Sequence, residues 1–216
     1  MEPDDANRER FVTRVSEAVR EDPGAVDDET FETFVGAVDT DLSVAARRSA
    51  VRALAVAAAD RPRAVADATE TLCALAETPD PGVQCWAAAA LGELAAERPG
   101  DVAADVGTLS GLLDHEDDAV QHNAVEALAT LARTHPDVVA EGAPGLRALL
   151  DHGDVAVVHN AAGALGLVAA ERPDAVVPAV PRLKALCDHD EDAVRRVATG
   201  ALARLARERP GPVSDE

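Results

Sequence analysis

The sequence predicts an all-helical solenoid of five helix pairs preceded by one capping helix, and three observations support this fold class. Prolines recur at a constant step of 37 residues. Columns of leucine and alanine keep the same step, and within each unit the apolar residues recur with the period of an α-helix. A single helix pair could not bury its apolar faces, so copies that share one register are expected to stack on their neighbours.

The repeated positions fall on both helices of each pair. The proline column is Pro62, Pro99, Pro136, Pro173 and Pro210. The longer second helix carries a leucine column and two alanine columns: Leu54, Leu91, Leu128, Leu165 and Leu202; Ala50, Ala87, Ala124, Ala161 and Ala198; Ala53, Ala90, Ala127, Ala164 and Ala201. The shorter first helix carries Val65, Val102, Val139 and Val176, with Leu72, Leu109, Leu146 and Leu183. We expect all these apolar side chains to be buried.

Helix ends are marked in the same register. Asp80 is placed to cap a long helix, and Pro81 follows where a missing N–H costs nothing. The helix is expected to end before Pro99, because proline disfavours helical backbone in the preceding residue. We therefore predict a disordered start and a capping helix of about 6–21 within residues 1–25, one solenoid domain over 26–209, and a tail over 210–216. The five repeats are placed at 26–61, 62–98, 99–135, 136–172 and 173–209.

The acidic composition indicates the salt conditions around the protein more than the chemistry of its partner. Acidic residues outnumber basic ones 40 to 20, which gives a formal net charge of −20, and Lys184 is the only lysine. One interpretation is attraction to a basic partner. The other is a proteome adapted to molar salt, where a Debye length of about 3 Å leaves little self-repulsion. Few lysines and few aromatic residues favour the second, and we predict a halophilic archaeon as the source.

The same sequence points to the cytoplasm. The acidic N-terminus lacks a signal peptide, and no run of 18 apolar residues could span a membrane. Cys73, Cys85 and Cys187 lie far apart without ligand or redox spacing, which is typical of a reducing interior. We predict neither a metal nor a cofactor, and we expect no membrane association.

Residues 117–128 resemble the second helix of a HEAT repeat, with an acidic turn, a valine and an alanine-rich stretch that ends in leucine. Residues 191–196 match this pattern including its arginine, whereas Gln84, Gln121 and Val158 depart from it. The resemblance covers about residues 26–209. It implies a right-handed α-α superhelix whose second helices line a concave face, and a role in scaffolding or regulation. Peptide-binding armadillo proteins, the nearest relatives, line that groove with Trp and, four residues on, Asn; this ladder is absent here.

A column opposite the buried stripe of the second helices is the candidate binding surface. The repeat step brings together Arg48, Cys85, His122, His159 and Arg196, which we call the repeat column. Beside it stand Arg52, Trp86, Asn123 and Asn160. In so acidic a protein, a column without carboxylates fits an acidic or polar partner. The alternative is that duplication copied these residues without selection for binding, as the similar pairs His122-Asn123 and His159-Asn160 suggest.

Catalytic chemistry finds little support in the sequence. We see no nucleophile with its base, no glycine-rich phosphate loop and no zinc motif. His122 and His159 are expected about 8–10 Å apart, too far to share a metal. We predict a non-catalytic scaffold or regulatory adaptor that binds a protein partner through the concave face of the solenoid, with no nucleic acid and with the oligomeric state open. HEAT-like folds include bilin lyases and DNA glycosylases, so an enzyme or an enzyme-associated subunit is the alternative, and a permanent subunit of a complex is a third.

Overall fold

The computed structural model describes residues 3–39, 41–209 and 211, and every regular element in these ranges is a helix. The α-helices are α1 (Pro3–Glu21), α2 (Asp28–Ala37), α3 (Val44–Asp60), α4 (Pro62–Ala66), α5 (Thr69–Ala76), α6 (Pro81–Glu97), α7 (Pro99–Ala103), α8 (Val106–Gly111), α9 (Asp118–Leu131), α10 (Pro136–Val139), α11 (Ala143–Ala148), α12 (Val155–Glu171), α13 (Pro173–Val176), α14 (Val180–Leu186) and α15 (Asp192–Glu208). Short 3-10 helices cover Pro23–Ala25, Ala140–Gly142, Leu149–Asp151 and Val177–Ala179. The all-helical repeat fold predicted from the sequence is confirmed.

The long helices begin as predicted, with an acidic cap. The Asp80 carboxylate accepts a hydrogen bond from the Val83 N–H at 2.9 Å, and Asp117 and Asp154 make equivalent caps at the starts of α9 and α12. The first helix of each later pair starts at a column proline but is built from two short segments, such as α4 and α5. Near the second segments of the last two pairs, prolines lie at Pro144 and Pro178, which remove helical N–H donors at the break.

The capping helix is longer than predicted. It begins at Pro3 rather than near residue 6, because a proline in the first turn lacks only an N–H that has no helical partner there. Val12, Val15 and Val19 form its buried stripe. Of the predicted tails, residues 1–2, 210 and 212–216 lie outside the described residues.

The contacts divide the chain into two compact units, Met1–Ala104 and Asp105–Glu216. In the first unit α3 packs between α1 and α6, and the shorter helices α4 and α5 lie against α6. In the second unit α12 packs between α9 and α15, while α10, α11 and α13 lie against α12. The single solenoid domain and its five boundaries stay predictions.

The core of each unit is made of the repeated apolar columns. The leucines Leu54, Leu91, Leu128 and Leu165 are fully buried, and so are both alanine columns. Small side chains let the long helices approach closely. At Gly166 on α12, an added Cβ would lie 3.0 Å from the Cβ of Ala201 and 3.1 Å from its Cα on α15. The core therefore depends on close backbone approach rather than on large side chains.

Candidate functional site

The repeat column lies on the outward side of the long helices, although its members differ in exposure. Arg48 and Arg196 are exposed, whereas Cys85, His122 and His159 are half-buried. Among the neighbouring candidates, Arg52 is exposed and Trp86, Asn123 and Asn160 are half-buried. The structure places Arg48, Arg52, Cys85 and Trp86 in the first unit and the other candidates in the second, so the two groups are described separately.

In the first unit, Arg48 is tied to the cap of the next long helix. Its Nε and Nη2 donate to the two carboxylate oxygens of Asp80 at 2.9 and 2.7 Å. The Asp80 side chain is only 15% exposed and also caps α6. The hydrogen bonds from Arg48 hold the pKa of Asp80 below its ordinary value, and the same pairing raises the pKa of Arg48. Arg48 is therefore in part a structural residue that joins α3 to α6.

Gly82 leaves the room that this ion pair needs. A Cβ at Gly82 would lie 3.2 Å from Nε of Arg48 and 3.3 Å from Oδ1 of Asp80. Any larger residue at Gly82 would press on both partners of the pair. The first turn of α6 is thus fitted to the guanidinium of a side chain from α3.

Beside this pair, Arg52 lies over Trp86. The guanidinium carbon is 5.1 Å from the centroid of the indole ring, within the range of a cation–π contact. A surface groove of roughly 510 Å³ runs along these side chains. We call it the arginine groove; it is lined by Arg20, Arg48, Ser49, Arg52, Gly82 and Trp86 together with Ala45. None of its lining residues is acidic.

In the second unit, carboxylates lie beside two residues of the repeat column. His122 has Glu126 at 3.8 Å and Asp154 at 4.0 Å. Arg196 forms an ion pair with Asp192 of its own helix. The Nδ1 atom of His159 is buried and has no hydrogen-bond partner within the described ranges. This surface offers imidazole and amide groups but little unpaired charge.

One contact occurs at equivalent positions within each of the two units. The column residue of a long helix lies beside the acidic cap 32 positions later: Arg48 beside Asp80, and His122 beside Asp154. This pairing was not predicted from the sequence, although the constant spacing between a column position and the following cap was a usable signal. Arg20 was not predicted either, since it lies in the last turn of α1, outside the 37-residue register.

The turn histidines have a role that the sequence analysis did not foresee. Nδ1 of His115, His152 and His189 accepts the backbone N–H of the residue two positions later, at 2.9 to 3.0 Å. In each case this N–H belongs to the residue at the N-cap of the following long helix. These side chains brace the turns rather than simply facing solvent.

The candidate surface presents polar and aromatic groups that can bind a ligand. Among the described residues, no group of three or more His, Cys, Asp or Glu side chains is placed to hold a metal ion. None of the described helices combines the length and the apolar character needed to cross a bilayer. What the candidate surface presents is guanidinium, imidazole, amide and indole groups, which recognise ligands by hydrogen bonds and stacking.

Comparison with solved structures supports the fold. An engineered protein is 26% identical with a TM-score of 0.77, covering 93% of this chain and 97% of that chain. A designed armadillo repeat protein in complex with the peptide (KR)4 is 21% identical with a TM-score of 0.73, covering 93% and 91%. Computationally designed armadillo repeat proteins for modular peptide recognition give 23% and 0.74, covering 89% and 91%. No curated protein matches the chain.

The family model described as HEAT repeats matches residues 106–203. This part of the chain is similar to HEAT repeats, and the described residues have the helical repeat fold of armadillo- and HEAT-like proteins. The matched segment runs from α8 into α15 and contains His122, His159 and Arg196. The arginine groove lies in the other unit, outside the matched segment.

Proposed function

We propose that this helical repeat protein is a non-catalytic scaffold or regulatory adaptor that binds a protein partner through the outward faces of its long helices. The observation that carries the proposal is Trp86, half-buried on such a face with Arg52 stacked on its ring. Tryptophan and arginine are the residues that most often dominate binding energy at protein interfaces. A partly exposed pair of this kind can supply much of the binding energy for a partner.

The structural neighbours support this class of function. A designed armadillo repeat protein of the same fold is in a complex with a peptide, and related designs are described as made for modular peptide recognition. At 21% and 23% identity these likenesses concern the fold alone. A repeat fold that can hold a peptide is what an adaptor of this kind requires.

The acidic composition fits a protein that binds its partner at high salt concentration. A net charge of −20 with one lysine suits a cytoplasm rich in salt. There, long-range attraction is screened, so recognition depends on short-range contacts such as stacking and bidentate hydrogen bonds. Trp86 and the arginines beside it supply such contacts.

The test is a display selection of random twelve-residue peptides on the immobilised protein in 1 M KCl. Enriched peptides are then measured by calorimetry against wild type, Trp86→Ala, His122→Ala and the control Arg147→Ala, whose side chain is exposed on α11. We expect an enriched sequence family whose affinity falls at least about tenfold for one of the two face variants and stays unchanged for the control. If no family is enriched, or if every variant binds alike, the proposal is wrong.

A further inference from the structure

We propose that the arginine groove of the first unit is the docking site for an acidic segment of the protein partner. This inference rests on the proposed scaffold function and adds the chemistry of the segment. The groove gathers three arginines from α1 and α3 around one indole ring. It has no acidic lining residue, although the chain has 40 acidic residues.

Two of the three guanidinium groups have no carboxylate partner. Arg48 is occupied by Asp80, but Arg20 and Arg52 form no ion pair within the described part of the chain. Both side chains are exposed, and Arg48 and Arg52 lie one helical turn apart, with Cβ atoms about 5–6 Å from each other. The lining therefore carries three positive charges against the one negative charge of Asp80, and this surplus is open to solvent.

The groove is already arranged for its ligand. The stack of Arg52 on Trp86 restrains a long side chain that otherwise loses rotamer freedom on binding. The hydrogen bonds to Asp80 fix the position of the Arg48 side chain in the groove, and Gly82 leaves room for this pair. A carboxylate that enters can accept two parallel hydrogen bonds from one guanidinium, the geometry in which arginine binds carboxylates most strongly.

An acidic peptide fits this groove better than a nucleic acid does. Nucleic acids gain affinity from a long row of phosphate contacts, whereas the arginine groove is short and lies on a molecule of charge −20. In an extended peptide, alternate side chains on one face are about 6.8 Å apart. Carboxylates on one face of such a segment would pair with Arg20 and Arg52, which both line the groove, while intervening small residues allow approach to the indole.

The experiment uses Trp86 itself as the reporter, because the chain contains one tryptophan and no tyrosine. Unlabelled peptides (Glu-Ser)6, (Gln-Ser)6 and (Lys-Ser)6 and a twelve-nucleotide oligodeoxythymidylate are titrated while tryptophan emission is followed. Fluorescein-labelled copies give the total affinity by polarisation. The groove variant is Arg20→Gln with Arg52→Gln; the control is Arg133→Gln with Arg147→Gln, two exposed arginines on the other unit with the same loss of charge. Thermal melts check that each variant is folded.

We expect (Glu-Ser)6 to bind at least about tenfold tighter than (Gln-Ser)6 and to change the Trp86 emission. The groove variant should lose about tenfold or more in affinity for (Glu-Ser)6, and the control should lose nothing. The comparison of the two peptides on wild type needs no variant, so a poorly folded variant leaves the test intact.

Several outcomes would overturn the inference. They are equal binding of the Glu and Gln peptides, binding that leaves the Trp86 emission unchanged, equal loss in both double variants, or tighter binding of the oligonucleotide at the tryptophan. If the peptides selected from the random library still bind the outward faces, the scaffold function stands and only the acidic-segment inference fails.

Discussion

The two units join neighbouring long helices by different means at equivalent repeat positions. In the first unit, side chains bridge α3 and α6: Arg48 holds the cap residue Asp80 at 2.7 Å. In the second unit, the equivalent contact between His122 and Asp154 is 4.0 Å long. In the same unit, the next pair of long helices, α12 and α15, approach each other closely where Gly166 faces Ala201.

This difference separates what the repeat determines from what single residues determine. The 37-residue register decides where long helices meet and which positions face outward. The residue at each outward position then decides whether the contact is an ion pair, a stacked cation or only van der Waals packing. The surface around Arg52 and Trp86 is thus cationic, whereas the carboxylates of Glu126 and Asp154 lie beside His122 on similar helices.

The largest effect is expected from the close backbone contact in the second unit. Gly166→Ala gains about 1 kcal/mol in helix propensity, but its new Cβ meets the Cα of Ala201, which can move only with α15. Overpacking of this kind costs about 1–3 kcal/mol. The difference of these two effects is a net loss of up to about 2 kcal/mol in the free energy of unfolding, measured by urea denaturation.

Gly163→Ala on the same helix is the matched control. Its added Cβ would lie 3.6 Å from Cγ2 of Val197, an ordinary contact. It should therefore keep the propensity gain and stabilise the protein by up to about 1 kcal/mol. Hydrogen exchange should show the loss of Gly166→Ala in α12 and α15. Equal effects of the two alanines would mean that the helices are not in tight contact at Gly166.

The sequence was sufficient for the fold because the periodicity lies in buried apolar residues. Leu91 and Ala87 are buried as their columns predicted, and α7 begins at Pro99. The candidate site was only partly predictable. The exposure of Arg52 follows from helical periodicity, but its stacking on Trp86 depends on how α3 and α6 pack, which the step of 37 does not specify. Arg20 could not be found at all from the repeat, because its helix precedes the first copy.

An intermediate effect, dependent on pH, is expected at the cap of α6. Asp80→Ala removes the cap and the partner of Arg48 together, and the loss of an N-cap alone is about 1 kcal/mol. Asp80→Asn keeps an acceptor at the cap but removes the charge. Because folding lowers the pKa of Asp80, its charge stabilises the protein fully above the unfolded pKa of about 3.9. That contribution is lost as the pH falls through the lower, folded value.

The measurement is the unfolding free energy of wild type and Asp80→Asn between pH 3 and 7. The difference between them should be constant from about pH 5 to 7 and should shrink below about pH 4. Asp154→Asn is the control from the second unit. At pH 7 it should cost less than Asp80→Asn, since no arginine side chain pairs with Asp154 among the described residues and its neighbour at 4.0 Å is the imidazole of His122. Equal costs for the two variants would remove the distinction between the units.

The smallest effect is expected in the turns of the second unit. There a histidine side chain binds the N–H of the cap residue, whereas the equivalent turn of the first unit has a threonine. Nδ1 of His152 accepts the N–H of Asp154 at 2.9 Å, and Nε2 lies 3.6 Å from Oδ1 of Asp118. At the equivalent place in the first unit, the hydroxyl of Thr78 donates to the Leu75 carbonyl and leaves the cap residue unbraced. We expect His152→Ala to cost about 0.5–1 kcal/mol, the usual net value of one hydrogen bond.

His152→Asn distinguishes bracing from mere packing of the ring. An asparagine side chain accepts the N–H two residues on in an Asx-turn, the same connection that His152 makes here. It should therefore recover most of the stability that His152→Ala loses, although it fills less space than the ring. Thermal melts of the three proteins at pH 7 supply the comparison, and the N–H of Asp154 should exchange faster only in the alanine variant. If asparagine destabilises as much as alanine, the ring contributes by packing or through Asp118. The hydrogen bond to the cap residue would then not distinguish the stability of the turns in the two units.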